Sequence, residues 1–451
     1  MTRKVIILLS AVVVLFLLVL GFLFFIARKA PEPTDSAFTQ KVRELFPFGR
    51  PAQDPDDLFT GEGTEFPETG LNGEVSLGDR PVPRLRKISS EPTAGTYHWS
   101  EVKPDTKEII YHVEYADRAT GRIYDAESNK LPVTQISNTT LPKMYEAKFA
   151  STDSFLSRFL DNNREEVIKT YFVTLRLPTQ SATTSTSTPL LKVSTGTYLE
   201  ENIKEIAFSP SKSKVAYSIY TPTGGSIIVS NPNGSNKRQV FASPLREWLL
   251  EWISETGVLI TTKPSGLAEG YAYNLNTSSG GLTKITGGLG LTMSVSPKTA
   301  GFYLVGKGGG TISTTFLKTD AAKGNQTLYL SRTLPEKCVW SKKDSNIIYC
   351  AVPSSVPSSL YPDDWYQGIV SFTDSIWKIN VETAQTNIVV TPSDSGAGVD
   401  AINLEVSEND EFLTFINKKD LSLWGYQLVV PIKKEVSVQA TSTPATTTPA
   451  R

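Results

Sequence analysis

Short apolar runs separated by polar turns recur along most of the chain, and each pair of runs has the length expected of a β-hairpin. Residues 206–217 (IAFSPSKSKVAY) are the clearest case. One apolar run ends in Ser-Pro, a short polar turn follows, and a second apolar run begins. This pattern predicts a strand, a tight turn and an antiparallel strand.

The hairpin recurs with a marker, a bulky apolar residue followed at once or one residue later by Ser. The markers are Trp99, Phe149, Phe208, Trp252, Val295, Trp340 and Val406. The intervals between the four markers from Phe208 to Trp340 are 44, 43 and 45 residues. Further apolar runs behind several markers, such as 271–275 and 282–288, supply a third and a fourth strand. Four short strands at a period in the forties predict an all-β, seven-bladed β-propeller, and six or eight blades also fit.

Two segments complete the predicted ring. Residues 85–95 (LRKISSEPTAG) resemble the fourth strands but precede the first marker, so they could pair into the last blade and close the ring. Residues 168–173 are interpreted as the returning strand behind Phe149. A β-sandwich pair or a β-solenoid stays open as an alternative, because strand spacing alone does not exclude either.

The repeat resembles the WD40-like or TolB-like propeller repeats, in which an apolar residue is followed by S-P-D-G-K and an apolar-Ala-aromatic strand. The segments that carry the resemblance are FSPSKSKVAYS at residues 208–218 and VSPKTAGFYL at residues 295–304. Ser211 and Thr299 stand where the family often has Asp and Gly, and the paired G-H and W-D signatures are absent. The resemblance covers roughly residues 85–430, and it implies a fold and a habit of interaction rather than one activity.

The amino-terminal region predicts a membrane anchor. Residues 5–26 are almost continuously apolar, and at about 1.5 Å per residue they would extend about 33 Å, enough to cross a bilayer. Arg28 and Lys29 occupy the place where a cleaved signal peptide needs small residues, so a retained signal anchor is expected. Arg3, Lys4 and the amino terminus favour a cytoplasmic tail at residues 1–4 and an extracytoplasmic body.

Composition divides the rest of the chain. Residues 27–84 are rich in Pro, Gly and acidic residues and are interpreted as a flexible spacer, residues 85–430 as the propeller, and residues 431–451 as a disordered Thr/Pro-rich tail. A second Ser/Thr/Pro run occupies residues 178–189. The net charge of −1 gives no reason to expect nucleic acid as a partner.

Cysteine and histidine are scarce. Cys338 and Cys350 lie on the two strands of one predicted hairpin, so they predict either a cross-strand disulfide or two buried thiols. His98 and His112 fall on the first two strands of blade 1, but no third ligand is marked, so no metal site is predicted. No cofactor is expected either.

The sequence has no G-x-S-x-G nucleophile motif and no sialidase box. Because the chain has many acidic residues, a catalytic pair of carboxylates of the glycosidase type is the one arrangement that the sequence does not exclude. The glycine loop at residues 305–311 (VGKGGGT) resembles a phosphate loop, but no helix is predicted after it, so a hairpin turn is expected. No catalytic residues are therefore assigned.

One insertion interrupts the repeat in blade 6, between the second and third strands. It brings together Tyr361, Asp363, Asp364, Trp365 and Tyr366. Aromatic side chains beside acids on the rim of a propeller are typical of a recognition site. The competing interpretation is that Trp365 and Tyr366 fold back and pack against the blade.

These observations predict a single-pass protein of the cell membrane whose propeller is a non-catalytic platform for a protein or a cell-wall glycan. The first alternative is a propeller hydrolase or lyase acting on surface polysaccharide, which would require carboxylates clustered along the central channel. The second alternative is a scaffold that faces the cytoplasm, in which Cys338 and Cys350 would be reduced.

Overall fold

The computed structural model describes residues 82–429, apart from residues 106, 139, 165, 179–189 and 321. The predicted anchor, most of the spacer and the carboxyl-terminal tail lie outside the described residues. In the part that is described, no helix is long and apolar enough to cross a membrane.

Within these residues the chain forms seven antiparallel sheets of four strands each. The strands are β1 (Leu85–Ser89), β2 (Thr93–Val102), β3 (Ile109–Asp117), β4 (Ile123–Glu127), β5 (Val133–Gln135), β6 (Met144–Ser151), β7 (Ser154–Leu160), β8 (Ile168–Arg176), β9 (Val193–Tyr198), β10 (Glu205–Phe208), β11 (Val215–Thr221), β12 (Gly224–Ser230), β13 (Arg238–Ser243), β14 (Trp248–Ser254), β15 (Gly257–Thr262), β16 (Glu269–Asn276), β17 (Leu282–Leu289), β18 (Thr292–Val295), β19 (Phe302–Lys307), β20 (Ser313–Lys318), β21 (Gln326–Ser331), β22 (Cys338–Trp340), β23 (Ile347–Pro353), β24 (Asp374–Asn380), β25 (Thr386–Val390), β26 (Ala401–Val406), β27 (Phe412–Asn417) and β28 (Leu423–Gln427).

The sheets are the blades of a propeller, numbered 1 to 7 from β2 onward, with four successive strands in each of blades 1 to 6. The first strands of neighbouring blades contact one another, as β2 does with β6, β10 with β14, and β22 with β26. The first strand of each blade is therefore the innermost one and lines the central channel. The predicted seven-bladed fold is confirmed.

The ring closes as the sequence predicts. Blade 7 takes β26, β27 and β28 from the end of the chain and β1 from its beginning, in the order β1-β28-β27-β26. Leu85 is paired with Tyr426, and the Arg84 side chain donates hydrogen bonds to the carbonyl oxygens of Gln427 and Leu428 at 2.8 and 3.0 Å. Pairing the two ends of the chain in one sheet leaves no unpaired strand at the junction.

In blade 2, the structure corrects the predicted second strand. The returning strand behind Phe149 is β7, because Phe155 is the residue paired with Phe149, and the run that begins at Ile168 is the third strand, β8. The sequence SFLSRFL of β7 mixes polar and apolar residues. It therefore gives a weaker strand signal than the more continuous apolar run behind it.

The core is divided among the interfaces between blades. Alternate residues of one strand face opposite neighbours: Phe302 and Leu304 pack toward blade 6, whereas Tyr303 and Val305 pack toward blade 4. Each sheet is thus buried on both faces, which explains why most of the second strands, unlike β7, are almost continuously apolar. Among the described residues, every one of the seven interfaces contains such a buried apolar cluster.

The two faces of the ring differ. We call the face on which each first strand begins the top face, and the face that carries the turns between first and second strands the bottom face. β28 ends beside the start of β27, where Phe412 is paired with Gln427, and β1 begins there too. Both ends of the described chain therefore leave from the bottom face, and the blade 6 insertion lies on the top face.

Candidate binding site on the top face

The blade 6 insertion, residues 354–373, lies across several blades. The backbone N–H and C=O of Tyr361 pair with those of Gly309 in blade 5, both at 2.8 Å. The Asp363 carboxylate accepts a hydrogen bond from the backbone N–H of Gly266 in blade 4 at 2.6 Å. The Lys418 ammonium, in blade 7, donates to the carbonyl oxygen of Trp365 at 2.7 Å. The insertion is thus attached to blades 4, 5 and 7 as well as to its own.

The glycine loop of blade 5 allows this approach. A Cβ atom on Gly308 would lie 2.2 Å from the carbonyl oxygen of Tyr361, so only glycine fits there, whereas a Cβ on Gly310 would meet nothing within 4 Å. The loop connects β19 to β20, and no helix follows it, as expected from the sequence.

The five predicted site residues divide between the interior and the surface. Tyr361 and Trp365 are buried in a cluster with Ile312, Leu334 and Phe372. A short helix, α1 (Asp363–Tyr366), carries four of the five. The Asp364 carboxylate accepts hydrogen bonds from the Ser359 hydroxyl and the Leu360 N–H, and these bonds lower its pKa. Tyr366 remains 42% exposed. The aromatic residues therefore do not act together, because two anchor the insertion and one faces solvent.

A buried charged cluster lies beneath the insertion. Lys337 precedes β22 and is fully buried, and its ammonium donates to Asp374 at 2.8 Å, to Asp400 at 2.6 Å and to the Ala401 carbonyl oxygen at 2.9 Å. The Trp365 indole N–H donates to Asp400 at 3.0 Å. This cluster joins the insertion to blades 6 and 7.

The two carboxylates of this cluster are not equivalent. Burial raises the pKa of Asp374, although Lys337 opposes that effect. Burial acts in the same direction on Asp400, but Lys337 and hydrogen bonds from Phe372 and Trp365 outweigh it, so the pKa of Asp400 is lowered. The pKa values of the two carboxyl groups are therefore shifted in opposite directions, although both accept hydrogen bonds from Lys337.

Two tyrosines stand at the top of the channel. The Tyr366 hydroxyl donates to Glu336, just before the innermost strand of blade 6. The Tyr220 hydroxyl, in blade 3, donates to Glu247 at 2.7 Å, and Lys263 binds the same carboxylate at 3.0 Å. Burial and the Glu247 carboxylate raise the pKa of Tyr220 to about 12, and burial and Glu336 raise the pKa of Tyr366 well above its usual value.

Carboxylates also lie on the innermost strands. They include Glu146, Glu205, Glu251 and Glu405. Burial raises the pKa of Glu251 to about 7, and its oxygens accept hydrogen bonds from the N–H of Val295 and the Ser294 hydroxyl at 3.3 Å. Glu251 thereby connects blades 4 and 5.

The cysteines and histidines occupy the interior of their blades. The sulfurs of Cys338 and Cys350 are bonded, and the two residues are directly paired across β22 and β23. His98 contacts the Thr414 hydroxyl at 2.6 Å, and burial lowers its pKa to about 3. His112 contacts Asp125 at 2.8 Å. Across the described ranges, no group of three or more His, Cys, Asp or Glu side chains is arranged to hold a metal ion.

Comparison with known proteins identifies no family. No protein-family model matches the sequence, and no curated protein matches it. One similar solved structure is oligogalacturonate lyase from Vibrio parahaemolyticus, with a TM-score of 0.41 and 8% identity over 75% of this chain and 98% of that chain. A second is a chain of the mitotic checkpoint complex, with a TM-score of 0.41 and 11% identity over 81% of this chain and 99% of that chain. A third is Kuenenia stuttgartiensis hydrazine synthase, with a TM-score of 0.42 and 10% identity over 70% of this chain and 92% of that chain. Similarities at this level carry no argument about activity. The seven sheets themselves define the chain as a seven-bladed β-propeller protein.

Proposed function

We propose that this chain is a non-catalytic binding platform of the cell envelope, anchored in the membrane by residues 5–26, which binds a protein or a glycan on its top face. The observation that carries the proposal is the fixed position of the blade 6 insertion. Contacts with four blades hold its backbone, yet Tyr366 and Ile369 stay 42% and 68% exposed. A rigid support for exposed aromatic and aliphatic side chains reduces the entropy lost on binding.

The proposal is tested by placing a photo-crosslinking amino acid at position 369 of the full-length protein in intact cells. The control position is Tyr329, which is 54% exposed on the outermost strand β21 of blade 5. We expect a covalent adduct from position 369 and none from position 329. Equal labelling at both positions, or labelling at neither, would contradict a binding site on the top face.

A second candidate is a hydrolase or lyase acting on surface polysaccharide, and the channel carboxylates favour it. Glu251 has a pKa near 7 and Glu205 a raised pKa, both because of burial, and such carboxyl groups can act as general acids. The engagement of Glu251 with Ser294 and Val295 weighs against a free catalytic role. New reducing ends or unsaturated uronates released from cell-surface polysaccharide by wild type but not by Glu205→Gln would favour this candidate over the platform.

A further inference from the structure

We infer that the top face binds an uncharged glycan across the channel mouth, with Tyr220 and Tyr366 as its stacking surfaces. The inference rests on the proposed function and names the ligand class of that face. It extends the site from the insertion of blade 6 to blade 3 on the other side of the ring.

Both tyrosine rings are held as flat, partly open surfaces. Tyr220 is 39% exposed and Tyr366 is 42% exposed, and each hydroxyl is bound by a carboxylate, Glu247 and Glu336 respectively. A fixed aromatic ring offers a large contact area with little side-chain entropy to lose. The C–H faces of sugar rings are flat and weakly polar, so they suit such a surface.

Both tyrosine hydroxyls are held at the top ends of innermost strands. Glu247, which binds the Tyr220 hydroxyl, directly precedes β14 of blade 4, and Glu336, which binds the Tyr366 hydroxyl, lies just before β22 of blade 6. Because the first strand of each blade lines the channel, both hydroxyls lie at its mouth. A glycan that spans the mouth would contact both tyrosines.

The charges around the site favour an uncharged ligand. Three carboxylates near Tyr220 are already paired with cations: Glu247 with Lys263 at 3.0 Å, Glu201 with Arg164 at 2.7 Å, and Glu200 with Lys237 at 2.8 Å. The Lys204 ammonium lies 4.8 Å from the centre of the Tyr220 ring and occupies the position that a cationic ligand would use. Paired carboxylates still have free lone pairs, so they can accept hydrogen bonds from hydroxyl groups.

Space for more than one sugar ring adjoins Tyr220. A cavity of about 550 Å³ opens there between blades 2 and 3, and it is lined by Glu166, Glu200, Glu201, Asn202, Lys204, Ile219 and Tyr220. This volume is in the range of small-molecule sites, and the lining mixes hydrogen-bond donors with acceptors. Such a lining suits a chain of hydroxyl-bearing rings better than an apolar ligand.

The test measures binding of oligosaccharides to the full-length protein in detergent by calorimetry. The probes are the uncharged hexamers of N-acetylglucosamine, β-1,4-linked glucose and α-1,4-linked glucose, with the hexamers of galacturonate and glucosamine as charged counterparts. We expect at least one uncharged hexamer to bind about tenfold more tightly than either charged one. Tyr220→Ala and Tyr366→Ala should each weaken that binding by about tenfold, whereas Tyr366→Phe, which keeps the ring, and Tyr329→Ala should not.

Equal binding of charged and uncharged hexamers would overturn the inference, and so would full affinity in Tyr220→Ala. If no hexamer binds but position 369 crosslinks to a protein in cells, the glycan assignment is wrong and the binding platform stands. If neither occurs, both proposals fail.

Discussion

At the scale of single residues, the position of the insertion depends on a lysine that has no access to water. Lys337 is surrounded by Asp374, Asp400 and the rings of Trp365 and Phe372, whose centres lie 5.2 and 5.4 Å from its ammonium. A buried charge is tolerable only when partners replace the water it has lost. Removing the lysine would leave the Asp400 carboxylate buried without its cation.

We therefore expect Lys337→Met to destabilise the protein by about 3–5 kcal/mol, the usual result of breaking a buried ion pair. The measurement is the shift of the urea unfolding midpoint. Lys343→Met is the matched control, because Lys343 is exposed in the next hairpin turn and should change stability by less than about 0.5 kcal/mol. Equal midpoints for wild type and Lys337→Met would show that the cluster contributes no stability.

At the scale of secondary-structure elements, the interface between blades 1 and 2 contains ionisable groups that lack full compensation. Glu114 on β3 is only 3% exposed and is paired across the sheet with Asp125 on β4. Burial raises its pKa to about 7, and Asp125 and Asp153 add to the effect, whereas Lys192 and His112 oppose it. Burial lowers the pKa of His112, but the carboxylates Asp125, Glu127 and Glu101 together raise it by more. The net pKa of His112 is therefore above its usual value.

These shifts predict a stability that falls as the pH rises. The pKa of Glu114 rises from 4.5 to about 7 on folding, so this carboxyl group holds its proton more tightly in the folded state. Its contribution to the free energy of unfolding is therefore complete below pH 4.5 and is lost as the pH rises past 7. His112 acts in the same direction. Glu114→Gln should reduce this loss, and the part due to Glu251, whose pKa burial also raises to about 7, should persist. Urea midpoints at pH 5, 6, 7 and 8 would measure the difference. Glu269 is exposed on β16, so the control variant Glu269→Gln should show the same pH dependence of the urea midpoint as the wild type. A wild-type midpoint that does not change with pH would refute the role assigned to Glu114.

The sequence predicts those strands whose pattern of apolar and polar residues is visible within a few neighbouring positions. Each hairpin repeats an apolar run and a Ser-containing turn, so the sequence favours seven blades over six or eight and offers residues 85–95 as a strand that could close the ring; the structure confirms both. The irregular alternation of β7 gives no comparable local signal. Lys337 could not be recognised, since its carboxylate partners are 37 and 63 residues away and a lone lysine indicates solvent exposure. Tyr220 carries no local signal either, because the role that we propose for it depends on the insertion three blades away.

At the scale of the whole molecule, ring closure determines what each face can do. β1 and β28 are neighbours in blade 7, so the chain enters and leaves the propeller on the bottom face. The insertion, Tyr220 and Tyr366 lie on the opposite, top face, so neither end of the described residues adjoins the proposed binding site.

The proposed membrane anchor predicts a topology, and this topology decides which partners are accessible. Arg3 and Lys4 precede the apolar segment, so we expect residues 1–4 in the cytoplasm and the propeller outside. Protease treatment of intact cells should then remove a tag placed after Arg451 and spare a tag at Met1, with a cytoplasmic protein as the control. When the same membranes are denatured, Cys338 and Cys350 should react with a maleimide only after reduction, because an oxidising compartment maintains the disulfide. Protection of the Arg451 tag until lysis, together with freely reactive thiols, would reverse the orientation. The top face would then meet cytoplasmic proteins, and an extracellular glycan could not be its ligand.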